Sequence, residues 1–438
     1  MRMPILYFLL SLLLFPVLNG GTSSAQVQEL NLSDAISISL EHNYSIRISS
    51  SETRIAAINN SWGTAGRLPT IGFSASSSNN IDLTDNSTTN RLSGGIGLDW
   101  TIFSGFRVSI TKQRLEELER LAGGRSAVVI ENTIEDVILG YYFVLLQEES
   151  LEVLGKVMKL SEDRYNYELA RQELGSSVTY KVLQAQNVYL LDKSRFMNQE
   201  VALRNAVRNF NFLLGEAPET VWYFTEEFIP DTSDYQLADL LNLMLSNNQV
   251  LQNQYVNLVL QQKQTELARS DMYPSLRLST GMDRAYTRIG NENSDPITSS
   301  SMTPYGNLSL SYTLYNGGNR RSDIQIARIN EEISQVETEE MEHSLTNQLM
   351  NVHDYYTVRK TLLTLANENL VAAELNLRIA DEKFRTGVIN SFNYRDIQLI
   401  YLNAALDRLE AIFNLVESRT ALTRMTGGFL SPDEGPGN

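Results

Sequence analysis

The residues of this chain that could do chemistry are few and poorly placed for it. Only three histidines occur, at positions 42, 343 and 353, and cysteine is absent. His343 and His353 are ten residues apart, which places them about 80° apart around a helix rather than on one face. The sequence contains no HExxH, Gly-x-Ser-x-Gly, GxGxxG or P-loop pattern. We therefore expect no catalytic residue, no bound metal and no cofactor, so the protein is not expected to be an enzyme.

Carboxylates are plentiful, but they come in adjacent pairs that are typical of solvated helix faces. The pairs are Glu116-Glu117, Glu148-Glu149 and Glu339-Glu340. The formal net charge of −16 argues against nucleic acid as a partner, because phosphate binding needs clustered Lys and Arg. The lack of cysteine excludes disulfides and a lipidated N-terminal Cys. Stability must then come from packing and oligomerisation.

Residues 1–25 have the pattern of a secretory signal peptide. Arg2 precedes an apolar run from Ile5 to Leu18, and Ser23-Ser24-Ala25 provides small residues for cleavage. This run is too short for a spanning helix, and no other segment has about 18 consecutive apolar residues. We expect an exported protein without a helical membrane span.

The chain then repeats itself at a spacing of about 210 residues, which is a sign of internal duplication. Each copy has a Pro-led strand, a second strand ending in an aromatic and glycine turn, a long helix with a Tyr-Tyr pair, a glycine break, and a glutamine 11 residues after that break. These landmarks are Pro69, Gly105, Tyr141-Tyr142, Gly175 and Gln186, and then Pro274, Gly317, Tyr355-Tyr356, Gly387 and Gln398. The predicted units are a first repeat at 26–215, a linker at 216–234, a second repeat at 235–427, and a C-terminal tail at 428–438.

Each repeat is predicted to contain two strands whose side chains alternate between apolar and small polar. Ile96, Leu98 and Trp100, for example, alternate with Gly97 and Asp99. A soluble sheet with one face on a core would also alternate. A bilayer-facing sheet is favoured because the polar face is small, aromatics lie near the strand ends, and long polar loops are expected at 79–91 and 284–303. The predicted strands span about 69–80, 92–103, 274–286 and 305–315.

Four strands cannot close a barrel, and an open edge in hydrocarbon would leave backbone groups unpaired. Several chains must therefore contribute strands. Two chains would supply 8 strands and three would supply 12, and the strand pattern alone does not choose between them.

The remaining sequence predicts helices longer than an ordinary domain. Proline is absent from 107–171 and from 319–385, so each stretch can form a helix of roughly 65 residues, about 100 Å long. In the second stretch apolar residues recur with a seven-residue repeat that requires a packing partner, at Leu363, Ala366, Leu370, Ala373, Leu377, Ala380 and Phe384. Helical hairpins are predicted at 107–215 and 319–427, and the short opening helix of the first repeat, about 34–66, is expected to stack on its returning helix. The predicted fold is mainly α with a β-barrel part.

The strand, turn, Tyr-Tyr, glycine and glutamine motifs, occurring twice in the same order, resemble those of the TolC-like outer-membrane efflux protein family. The resemblance covers about Leu30 to Gly427. The resemblance implies a homotrimer with a 12-stranded transmembrane β-barrel in the outer membrane, continued by a long periplasmic α-helical barrel. It also implies a passive exit duct of a tripartite efflux or type I secretion system in a Gram-negative bacterium. Its partners would be a periplasmic adaptor protein, an inner-membrane transporter and outer-membrane lipid.

The resemblance also implies two sites. The hairpin tips would contact the adaptor through Gly175, Ser176, Ser177 and Val178, and through Gly387, Val388, Ile389 and Asn390. The periplasmic aperture, which some relatives close with two aspartate rings, would here contain Asn393 and Asp396. Asp396 beside Arg395 could equally be a solvated surface pair, and Lys181 is the corresponding position of the first hairpin, where it could pair across the aperture.

A protein of another class has part of the same pattern. A secreted trimeric coiled-coil scaffold or adhesion protein without a pore would have the long helices and heptads. The four alternating strands argue against it, because a scaffold would form water-soluble trimers without detergent. A channel would instead fractionate with outer membranes.

Overall fold

The computed structural model describes residues 28–84, 86–291 and 294–430. The predicted signal peptide at 1–25 lies outside these residues, as does most of the predicted tail. The first repeat contains β1 (Gln28–Leu30), α1 (Leu32–His42), α2 (Tyr44–Asn59), β2 (Thr70–Asp82), β3 (Ser87–Ser104), α3 (Arg107–Glu173) and α4 (Thr179–Leu214). The linker and second repeat contain β4 (Trp222–Phe224), α5 (Leu237–Asn247), α6 (Gln249–Ser270), β5 (Ser275–Asn291), β6 (Ser294–Ser311), α7 (Asn319–Arg385) and α8 (Ser391–Met425).

The two long helices have equal lengths, since α3 and α7 each contain 67 residues. Each packs on its returning helix, α3 on α4 and α7 on α8, and the two hairpins meet where α3 packs on α8. The helices therefore lie in the order α4, α3, α8, α7. On α7 the residues of the predicted seven-residue repeat at 363, 373, 377 and 380 are buried. The mainly helical fold with two repeats is confirmed.

The opening segment of each repeat forms two helices, so the prediction of one helix over about 34–66 is wrong. The break occurs at Asn43, which caps α2 by accepting a hydrogen bond from the Ile46 amide at 3.3 Å. Its Nδ2 donates to the Leu213 carbonyl at 2.8 Å, which attaches α2 to the end of α4. Asn248 does the same in the second repeat, where its Nδ2 donates to the Met425 carbonyl at 2.9 Å. A chain that leaves one helix and enters another needs a capping residue at the start of the second helix. Both asparagines fill this role and also donate to a carbonyl at the end of the returning helix.

The larger sheet has four antiparallel strands in the order β2, β3, β5, β6. The register aligns apolar residues on one face, for example Ile71 with Leu98 and Phe73 with Ile96. The opposite face contains pairs such as Gly72 with Gly97. β2 and β6 are the edges of this sheet in the part of the chain that the structure describes.

The long polar loops expected at 79–91 and 284–303 are not present. β2 continues to Asp82 and β3 begins at Ser87, while β5 continues to Asn291 and β6 begins at Ser294. Backbone pairing does not depend on side-chain polarity, so a Ser, Thr and Asn-rich segment can extend a hairpin into water. At its other end β6 stops at Ser311 rather than near residue 315, because its partner β5 has Pro274 immediately before it.

The main core lies where the linker crosses the long helices. The linker strand β4 pairs in parallel with β1. Buried Tyr141 of α3 donates its hydroxyl to the Leu30 carbonyl at 2.9 Å and accepts from the Glu226 amide at 3.2 Å. Tyr356 of α7 donates to the Ser233 carbonyl at 2.5 Å. One tyrosine of each repeated Tyr-Tyr pair thus anchors the 216–234 segment to a long helix.

Candidate functional site

The end of the molecule farthest from the sheet consists of two similar helical turns. Gly175 and Gly387 have φ values of +70° and +77°, which L side chains rarely adopt. After each glycine the next amide donates back to the helix, from Ser176 to the Arg171 carbonyl and from Val388 to the Lys383 carbonyl, both at 2.8 Å. This bond pattern ends a helix and reverses the chain. Both predicted tips are therefore tight, well-defined turns.

Both tips expose several large apolar side chains to solvent. The exposed apolar side chains are Leu174, Val178, Tyr180, Val388 and Phe392. Two of the predicted contact residues also have structural roles within the chain. Asn390 caps α8 by accepting from the amides of Phe392 and Asn393, at 3.0 and 2.9 Å. Ser177 donates its hydroxyl to buried Glu168 at 2.6 Å. Ile389 packs partly buried against the apolar core between the hairpins.

Three of the four predicted aperture residues are exposed, and the fourth is partly buried. Asn393, Asp396 and Lys181 are exposed, and none of the three forms an ion pair within the described part of the chain. Arg395 turns the other way, and its Nη1 and Nη2 each donate to one oxygen of Asp192 on α4 at 2.7 Å. The interpretation of Arg395 and Asp396 as a solvated surface pair is wrong. Successive helix positions differ by about 100°, so neighbours in sequence face different environments.

The Asp192 and Arg395 pair joins the two hairpins. Asp192 is almost fully buried at 2% side-chain exposure, and Arg395 is exposed by 13%. Arg195, one turn further along α4, approaches the same carboxylate at 3.8 Å. A buried charge pair with two direct hydrogen bonds holds one geometry more strictly than apolar packing does. This contact fixes α8 against α4, about one turn into α8 and between three and four turns into α4.

A third cation, Arg164, lies near this pair. Arg164 on α3 is buried, and burial lowers its pKa, with the charge of Arg395 acting in the same direction. Its guanidinium lies 6.0 Å from the Phe384 ring. That ring stacks on Tyr394 with a 4.8 Å centroid distance. Burial raises the pKa of Tyr394 to about 12, and donation of its hydroxyl to Asp381 at 3.0 Å acts in the same direction. The region above the tips is thus a polar cluster with closely packed rings.

Sequence reasoning missed Asp192 and Arg164. A signal for Asp192 was present, because it follows buried Ala185 by seven residues and therefore occupies an apolar seam position. A carboxylate at such a position needs a partner. The partner, Arg395, is 203 residues away in sequence.

Two histidines contact residues within or directly after the linker, and the third lies at the surface. His42 Nδ1 is 3.3 Å from Glu216, and His353 Nε2 is 3.2 Å from the Tyr235 carbonyl, while His343 is exposed. Within the described ranges, no cluster of three His, Asp or Glu side chains has the arrangement of a metal site. None of the helices described is both long and apolar enough to cross a membrane.

A family model described as "Outer membrane efflux protein" matches residues 35–216 and 240–428, once for each repeat. No curated protein sequence matches the chain closely enough to count as a relative.

Several solved structures are similar over nearly the whole chain. CusC, whose structures concern folding and transmembrane channel formation, has a TM-score of 0.73 at 15% identity, covering 90% of this chain and 92% of CusC. The CmeC outer membrane channel of Campylobacter jejuni has a TM-score of 0.71 at 15% identity, covering 92% and 87%. The open-state MtrE outer membrane channel of Neisseria gonorrhoeae has 0.70 at 16%, covering 92% and 90%. TM-scores of 0.70 to 0.73 over this share of the chains show a shared fold.

Proposed function

The chain belongs to the outer membrane efflux protein family, and we propose that three copies form one passive exit duct that docks on a periplasmic adaptor protein and an inner-membrane transporter. The protein is thus an outer-membrane efflux channel component, with its helical part in the periplasm. The comparisons give no support to the alternative of an adhesion protein without a pore.

The observation that carries the trimeric duct is the open sheet. β2 and β6 are edge strands, and edge strands in hydrocarbon leave N–H and C=O groups unpaired at a cost of several kcal/mol each. Pairing β6 of one copy with β2 of the next removes both edges. Three copies of this sheet would close as 12 strands, which matches the number implied by the family resemblance.

The outer helices support the same assembly. α4 and α7 lie at opposite sides of the helical layer, and each exposes apolar residues at seven-residue spacing. These residues are Leu183, Leu190 and Met197 on α4, and Val358, Leu365 and Ile379 on α7. A seven-residue apolar seam without a partner in its own chain fits a helix of a neighbouring chain. We infer that α4 of one copy packs on α7 of the next.

At the tips, we infer that the adaptor contacts the exposed apolar side chains beside Gly175 and Gly387. An exposed apolar surface surrounded by polar residues is typical of a protein interaction site. Val388, exposed by 70%, is the best single probe because its side chain supports no other side chain among the residues that the structure describes. Val388→Asp should abolish transport while leaving the amount of outer-membrane trimer unchanged. Full transport by this variant would remove the tip from the docking surface.

At the aperture, we infer that exposed Asp396 faces the lumen, where three copies would form one acidic ring. Asn393 takes the place of a second ring, so this aperture would be less acidic than a double ring. The Asp192 and Arg395 pair would then hold α8, and hence Asp396, at its position in the ring. This assigns Arg395 a positioning role rather than contact with the exported molecule.

The assembly is tested by reconstitution. Detergent-purified protein should have the mass of three chains by native mass spectrometry and should conduct ions in planar bilayers. Leu190→Glu places a charge in the α4 seam and should reduce the trimer fraction. Asn198→Glu, on the same helix about 80° away from Leu190, is the matched control and should assemble normally. A stable monomer that needs no detergent would contradict the proposal.

A further inference from the structure

A cavity lies at the boundary between the sheet and the helices. It has a volume of about 350 Å³ and lies between the end of β3, the start of α3 and the turn after α2. Its walls include four aromatic rings and one cation, namely Trp62, Trp100, Phe103, Phe106 and Arg67. None of these residues belongs to the tips or the aperture.

The cavity is built by an irregularity of the strand. The pairing of β3 with β5 shifts register between Thr101 and Phe103, so Ile102 is an extra residue there. A bulge of this kind bends a strand and re-aims its side chains. Two residues before the bulge, Trp100 donates its indole N–H to the Arg67 carbonyl at 2.9 Å, which holds the segment after α2 against β3.

The cavity opens on the apolar face of the sheet. Trp100 lies two positions after Leu98 and four after Ile96, so the three side chains share one face. Trp62, Trp100 and Phe106 remain exposed by 41, 39 and 61%. α3 begins at Arg107, directly after the strand ends at Ser104. If the apolar face contacts lipid, as the proposed function requires, the cavity lies at the periplasmic surface of the membrane.

The cation in this cavity has no acidic partner. Arg67 forms no ion pair with any residue that the structure describes, and its guanidinium lies 4.6 Å from the centroid of the Trp62 ring. Lys112 is near the same ring at 5.8 Å but is already bound to Glu116 and Asn60, both at 2.6 Å. Arg67 is thus a positioned guanidinium with its hydrogen-bond donors available to an anion.

We propose that this cavity binds an anionic phospholipid of the periplasmic leaflet, with Arg67 donating to the phosphate and the aromatic rings contacting the start of an acyl chain. Arg recognises phosphate with two parallel hydrogen bonds, and Trp is enriched at the level of lipid headgroups. The volume is at the lower end of roughly 300–1,000 Å³ for small-molecule sites, which suits one headgroup and part of a chain. The proposal rests on the outer-membrane location of the proposed function.

The test uses the intrinsic fluorescence of the full-length protein in mixed micelles. The chain has three tryptophans, of which Trp62 and Trp100 line the cavity, while Trp222 is buried in the linker region and supplies a constant background. Phosphatidylglycerol brominated near the headgroup should quench the fluorescence in a saturable manner. Arg67→Gln should weaken this binding by about tenfold, the value of one charged hydrogen bond. Arg67→Lys should recover part of the affinity.

Arg54→Gln, an exposed substitution on α2 outside the cavity, is the control and should bind like the unaltered protein. Equal lipid affinity in Arg67→Gln would overturn the proposal, because quenching would then reflect unspecific contact of Trp100 with the micelle. Protection of the cavity tryptophans from both acrylamide and brominated lipid would also overturn it, since a second copy would then cover the site. If the unaltered protein conducts ions in planar bilayers but shows no saturable lipid quenching, only the lipid site is contradicted. If the unaltered protein does not conduct ions, the proposed channel function is contradicted.

Discussion

The most direct perturbation of the region above the tips is Asp192→Ala. The substitution removes a carboxylate that accepts two hydrogen bonds of 2.7 Å from Arg395. It leaves a largely buried guanidinium facing Arg164, whose pKa is already lowered by burial. Breaking one side of a buried ion pair typically costs about 3–5 kcal/mol. We expect a loss of that size in the free energy of unfolding of the helical part.

The reverse substitution should cost less. Arg395→Ala leaves Asp192 buried, but Arg195 is already 3.8 Å from the carboxylate and can move closer. The double variant should lose less than the sum of the single variants, with a coupling free energy of about 1–3 kcal/mol. Both single variants should also raise single-channel conductance, because α8 is no longer fixed against α4. Denaturant titrations followed by helical circular dichroism measure the stability, and planar bilayers measure the conductance.

An exposed ion pair on the same hairpin provides the control. Lys159 lies 3.3 Å from Asp163 on α3, and both side chains are more than half exposed. Asp163→Ala should leave the unfolding midpoint unchanged, because solvent screens such pairs. If Asp192→Ala left the unfolding midpoint unchanged, as Asp163→Ala should, or if the effects of the two single variants simply added, the Asp192 and Arg395 pair would not hold the two hairpins together.

Three further outcomes are expected. Asn248→Ala should lower the free energy of unfolding by about 2–4 kcal/mol in denaturant titrations. The substitution removes the side-chain cap of α6 and leaves the buried Met425 carbonyl without its hydrogen bond from Asn248. Burial raises the pKa of Glu131 from 4.5 to about 7, so the folded state keeps a proton that the unfolded state releases. The free energy of unfolding should therefore fall as the pH rises from about 4.5 to 7. Glu131→Gln should flatten that slope in denaturant titrations at several pH values. Asp396→Ala should leave the trimer intact, raise conductance and weaken cation selectivity in planar bilayers, and unchanged reversal potentials would remove Asp396 from the lumen.

Local periodicity made most of the fold predictable. Alternation with period two identified the four strands, and the seven-residue repeat ending at Phe384 identified the packed face of α7. These signals arise within one element, so they do not depend on what the element meets. The glycine turns at Gly175 and Gly387 were predictable for the same reason, because a chain reversal with positive φ favours that residue.

The extent of the strands and the partners of the charged residues depended on tertiary structure. The hairpins continue through Ser, Thr and Asn because each strand supplies hydrogen bonds to its neighbour, whatever its side chains are. Arg395 pairs with Asp192 rather than with the adjacent Asp396 because α4 and α8 both pack on α3, which brings a residue 203 positions away within hydrogen-bond distance. The repeated elements and their apolar faces follow from local residue patterns. Which charges meet depends on how the helices pack, because an ion pair is selected by distance in space and not by separation along the chain.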